Sequence, residues 1–155
     1  MHRFRSRSPG FTLLELLVVV VIAAILVGLA ALSLGRNPHQ DLEQEGQRLA
    51  QLFESAANEA HLRAHPWAWQ PNAQGYRFVE RRDGAWVPRS EAPFAPRTWP
   101  PGFTGYAIRL DGSAQSLDQV SFGVESVDLP IVLTLEGEGS TVAVRAIGDG
   151  RYEAR

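Results

Sequence analysis

From Leu16 to Leu32 the chain carries no polar side chain, and across residues 11–34 only Thr12, Glu15 and Ser33 interrupt the apolar run. At about 1.5 Å rise per residue, a helix over this stretch measures roughly 36 Å, enough to cross a hydrocarbon core of about 30 Å. The pattern predicts a transmembrane helix over 11–34, because the remainder of the chain is too polar to wrap such a segment. Behind it the pattern turns amphipathic. Leu42, Gly46, Leu49, Phe53, Ala56 and Ala60 recur every three or four residues, while Asp41, Glu43, Glu45, Gln47, Arg48, Gln51 and Glu54 take the other sides. The helix is expected to continue through 35–65, kinked or loosened around Gly35, Asn37 and Pro38. It should stop near Ala64, since His65 precedes Pro66 and is biased out of helical geometry.

Over 66–155 the period becomes strand-like. Residues 74–81 and 85–87 flank Arg82-Asp83-Gly84, a hairpin signal. Residues 90–102, with Pro93, Pro96, Pro100 and Pro101, read as an irregular surface loop. Strands are expected at 105–110, 120–124, 131–136, 141–147 and 151–153, with glycine turns at 137–139 and 148–150. Short strands with such turns predict an antiparallel sheet folded over the helix, an α+β head.

Charge adds an orientation. Residues 1–10 hold Arg3, Arg5 and Arg7 and no acid, and a short basic flank stays on the cytoplasmic side of a span. The bulk of the chain is then outside. A secretory signal peptide shares this plan and would be cut near Ser33, but its apolar core runs only about 7–15 residues and does not open on an acid. The formal charge is -2, and loss of the three leader arginines takes it to -5. An acidic outer domain argues against nonspecific nucleic-acid binding. With no cysteine, disulfides, thiol chemistry and cysteine-based zinc sites are excluded.

Glu15 is the candidate functional residue. A carboxylate in a membrane helix is costly and usually has a partner and a role. The span offers no cation. A free α-amino group would be one, if the chain were cut just before Phe11, which lies one helical turn from Glu15 on the same face. An amine and a carboxylate about 4 Å apart attract by roughly 4 kcal/mol at an effective dielectric near 20, comparable to the burial cost.

Gly10-Phe11-Thr12-Leu13-Leu14-Glu15, followed by Leu16 to Ile22, resembles the N-terminus of the type IV pilin-like proteins: basic leader, glycine, phenylalanine, acid and long apolar helix at the family's spacing. The resemblance implies that a prepilin peptidase cleaves between Gly10 and Phe11 and N-methylates Phe11. It also implies that Glu15 pairs with the N-terminal amine of a neighbouring subunit. The fold it implies is pilin-like, a long helix half in the inner membrane and half against a periplasmic β-sheet head. In layout the second half is similar to the H-type minor pseudopilins of type II secretion and to the FimT/FimU-like minor pilins. The stretches that carry this likeness are 75–87, 88–101 and 119–153, with Asp149, Gly150 and Tyr152. The expected role is a structural subunit of the secretion pseudopilus, with other major and minor pseudopilins and membrane lipid as partners. A type IV pilus minor pilin is the alternative.

Catalysis and cofactors find little support. His61 and His65 have a spacing a metal pair uses, without an evident third ligand. The acids Glu136, Glu138, Asp149 and Glu153 are not bunched as a calcium loop. No Gly-x-Ser-x-Gly and no phosphate-cradling glycine loop occurs. Trp67, Trp69 and Trp86 are expected to fill the core between helix and sheet, and Trp99 to be an exposed contact.

Overall fold

The structure is a computed structural model that describes residues 12–34, 38–123 and 130–155, with backbone alone at 29–34 and Pro38. The chain divides into two units between Arg36 and Asn37. In the first, α1 spans Leu13–Leu34. Its side chains described through Gly28 are all exposed, and apolar residues run right round it with no polar face. With α1 described in its side chains only as far as Gly28, among the described residues no helix is long and apolar enough to cross a membrane. The expected loosening at Gly35 and Asn37 lies outside the described residues.

The second unit holds α2 (Pro38–Arg63) and nine strands, β1 (Trp67–Pro71), β2 (Gly75–Arg82), β3 (Ala85–Pro88), β4 (Arg97–Thr98), β5 (Phe103–Leu110), β6 (Val120–Phe122), β7 (Ile131–Gly137), β8 (Ser140–Gly148) and β9 (Arg151–Ala154). Pro38 opens α2 at a position whose N–H needs no partner. The helix stops at Arg63, and Ala64 turns left-handed (φ 53°) ahead of Pro66. The strands form two antiparallel sheets where the sequence suggested one. Sheet A has the order β3-β2-β1-β6, with β4 also on β2, and sheet B the order β5-β7-β8-β9. The β2–β3 turn follows the hairpin signal: Asp83 and Gly84 both have positive φ (49° and 81°), the geometry that matches strand twist. Two strands went unread. In β1 the residues Trp67, Ala68 and Trp69 are all buried, so no alternation marks it. β4 lies inside the proline-rich stretch read as a loop and pairs Gly75 with Thr98. That pairing is close: a Cβ on Gly75 would run into the Arg97 carbonyl oxygen.

The core lies between α2 and the inner faces of both sheets. Leu42, Leu49, Phe53, Ala56 and Ala60 are buried, as the helical spacing predicts. Gly46 lets the helix come close to sheet B, since a Cβ there would lie 2.5 Å from Val142 Cγ1. Phe53 is central, with ring centroids 5.3 Å from Trp69, Phe122 and Tyr152. Two tryptophans exchange their expected roles. Trp99 is half-buried, stacked on Phe103 at 4.1 Å and donating Nε1–H to the Asn72 carbonyl at 2.8 Å. Trp86 stands outside the core on β3, with the Arg81 guanidinium 5.7 Å from its ring centroid.

Two carboxylates are buried, the first of them against expectation. Glu45, assigned by spacing to a polar side of the helix, accepts hydrogen bonds from the Tyr76 hydroxyl and from Arg97 Nε, the latter at 3.3 Å. Burial, then the bond to Glu45, pushes the Tyr76 hydroxyl well above its ordinary range. Glu80 on β2 is 1% exposed. Arg82, Arg89 and His65 surround it, with Arg82 Nη2 at 2.7 Å and His65 Nδ1 at 3.2 Å. Desolvation alone would raise the Glu80 pKa, but the bonds and charges of Arg82, His65 and Arg89 outweigh it and hold the group below its ordinary value. Stabilisation of this sign is present above the unfolded glutamate range and is lost as pH falls through the lowered folded value. Melting temperature in the wild type should therefore fall more steeply between about pH 5 and pH 3 than in Glu80→Gln. Parallel acid limbs in the two proteins would show that Glu80 contributes nothing to the dependence.

Candidate functional site

The residues expected to carry function are Gly10, Phe11 and Glu15. Gly10 and Phe11 lie outside the described residues. Thr12 and Glu15 lie within them. Thr12 is the N-cap: its Oγ1 accepts the Glu15 N–H at 3.2 Å, and its carbonyl accepts from Glu15 and Leu16 at 3.1 and 3.2 Å. This satisfies donors that a helix start leaves orphaned. Thr12-Leu13-Leu14-Glu15 is also the Thr-x-x-Glu spacing of a capping box, the signal by which sequence reasoning could have found the cap. Glu15 is thereby fixed in the first helical turn, where the partial positive charge of the N-terminus favours an anion. It stands exposed, available to a group from outside the chain.

The other candidates are not brought together. His61 and His65 are exposed at the end of α2, and His65 is engaged by Glu80. Among the described residues, no group of three or more His, Cys, Asp or Glu side chains could hold a metal ion. Glu138 and Asp149 sit in separate hairpin turns, and Glu153 pairs with Arg155 at 3.0 Å. On α2, Glu54 accepts the Tyr152 N–H at 2.9 Å, tying the helix to the last strand. Burial first, and the Glu54 charge second, push the Tyr152 hydroxyl up to about 12.

Residues 5–31 match the prokaryotic N-terminal methylation motif. The chain is similar to a type II secretion system protein H. That relative, from Pseudomonas aeruginosa (strain PAO1), is 40% identical over 84 residues, which are 52% of this chain and 49% of the relative. The chain thus spans about half the length of the curated relative it matches. No solved structure matches. Motif and relative together support the resemblance to H-type pseudopilins drawn from the sequence.

Proposed function

We propose that the chain is a minor pseudopilin, a structural and non-enzymatic subunit of a type II secretion pseudopilus. The observation that carries this reading is the methylation motif over 5–31, joined to a relative whose name assigns it to type II secretion. That name favours secretion over a type IV pilus. In this reading α1 crosses the inner membrane with Arg3, Arg5 and Arg7 on the cytoplasmic side and the α2–β head in the periplasm. Its exposed apolar surface requires lipid, or the helices of other subunits, to cover it. A prepilin peptidase cuts between Gly10 and Phe11 and methylates the new amine. Glu15 then meets the amine of a neighbouring subunit, an attraction of roughly 4 kcal/mol at 4 Å and a dielectric near 20. Helix packing together with this neutralisation adds the subunit to the filament.

Two measurements on the native host test it. Intact-mass analysis of the chain from membranes should find a start at Phe11 carrying one extra methyl group, and a start at Met1 when the prepilin peptidase is absent. Deletion of the gene should stop export of secreted proteins across the outer membrane. A mature chain beginning just after Ser33 would instead mark ordinary signal-peptide cleavage and end the pseudopilin reading.

A further inference from the structure

Sheet A has a second face, turned away from the core, and its chemistry differs from the rest of the head. Trp67, Trp69 and Phe78 point inward, so the alternation of strand residues puts Gln70, Arg77, Arg81 and Trp86 outward. Gln70 is opposite Arg77 and Arg81 is opposite Trp86 in the strand register. A hydrogen-bonded ladder crosses this face. Arg77 Nε donates to Gln70 Oε1 at 3.1 Å, Gln70 Nε2 donates to Gln119 Oε1 at 3.0 Å, and Gln119 Nε2 donates to Ser121 Oγ at 3.3 Å. Arg81 is held differently, against the Trp86 ring.

Both guanidiniums are therefore oriented before any partner arrives, and both side chains are exposed. Among the described residues, neither meets a carboxylate. The neighbouring arginines Arg82 and Arg89 are engaged by Glu80 on the opposite side of the sheet. No acid occupies a register position on the outer face, although the chain without its leader carries a charge of -5. Arg77 and Arg81 lie four residues apart on one strand, about 13 Å at a rise of about 3.3 Å per residue. With Nε taken up by Gln70, Arg77 still offers its Nη edge to an incoming carboxylate.

We propose that this outer face of sheet A is the surface through which the head docks on an acidic surface of a neighbouring pseudopilus subunit, with Arg77 and Arg81 each receiving a carboxylate and Trp86 packing between partner and sheet. The inference rests on the pseudopilin reading above. A protein partner fits better than nucleic acid, because two arginines neutralise too few phosphates to hold a duplex at physiological salt. Aromatic and arginine side chains held in place before contact are the composition that dominates protein interfaces.

The test complements a deletion strain with the full chain carrying R77E/R81E, R77K/R81K or neither change. Expected is an R77E/R81E chain that accumulates and is processed at Phe11 like the wild type yet supports about tenfold less secretion or lower, the size of effect that reversing paired interface charges gives. R77K/R81K should fall between, since lysine keeps the charge and loses the fork. Should the reversal fail to accumulate, R77Q/R81Q removes the charge without adding an acid and must show the same loss. Wild-type secretion by an accumulated R77E/R81E or R77Q/R81Q chain overturns the docking face while leaving the pseudopilin reading intact. Normal secretion in the uncomplemented deletion strain overturns that reading, and the docking proposal falls with it. Retardation of duplex DNA by the detergent-solubilised full chain at low salt, abolished by R77E/R81E, assigns the face to nucleic acid and overturns the acidic-protein partner.

Discussion

Cells whose sole copy of the chain carries Glu15→Val should retain the protein in the membrane fraction and secrete at least about tenfold less than wild type. Insertion does not suffer, because the change trades a costly acid for an apolar residue that membranes favour. Assembly should suffer, because in the proposed pairing the amine of the incoming subunit loses its counter-charge. An attraction of roughly 4 kcal/mol corresponds to about a thousandfold in an association equilibrium, so even a well-packed helix bundle cannot absorb its loss unnoticed. Glu15→Gln separates charge from shape: it keeps the side chain's length and its place in the first turn, and should fail nearly as badly. The measurements are cargo activity in the medium and the amount of processed chain in membranes. Undiminished export by Glu15→Val would mean that the acid has no part in assembly.

The second large effect is on the head itself. Phe53→Ala should destabilise the α2–β unit by about 3–5 kcal/mol, the range for deleting a buried aromatic ring. The ring is fully buried and meets four others, Trp69, Phe78, Phe122 and Tyr152, from four different strands and both sheets. Little around it can collapse into the space, since these neighbours are large rings anchored on strands. Against a total stability of about 5–15 kcal/mol this loss is a large share, and it corresponds to roughly 10 °C or more in melting temperature. Leu62→Ala is the control, because Leu62 lies on the same helix but is 83% exposed. It should move stability by no more than about 0.5 kcal/mol. Near-ultraviolet circular dichroism of the full chain in detergent follows the melt. Equal melting temperatures for the two variants would contradict the central placement of Phe53.

What sequence alone could determine here is what rests on local chemistry and on one period. The apolar run of α1, the buried stripe of α2 and the Asp83-Gly84 turn each depend on neighbours within a few residues, and each was legible. So was the alternation of Ile131, Leu133 and Leu135, because one face of β7 is buried and the other is not. The motif around Glu15 was legible for the same reason, since its acid, threonine and glycine lie within six residues.

Tertiary structure decided the features that join distant segments. Trp67, Ala68 and Trp69 of β1 are all buried, so that stretch carries no alternation to read, and only its pairing with β2 and β6 makes it a strand. Trp86 and Trp99 look alike in sequence, yet Asn72 and Phe103 draw one into the core while the hairpin holds the other out. Glu45 looks like a surface acid until Tyr76 and Arg97 arrive from two strands to satisfy it, and Glu80 until Arg89 and His65 join Arg82 of its own strand. The outer face of sheet A belongs to the same class: Gln70, Arg77 and Gln119 become one ladder only because three strands lie side by side. A carboxylate is buried, or an arginine oriented, by whatever reaches it through space, and separation along the chain says little about that.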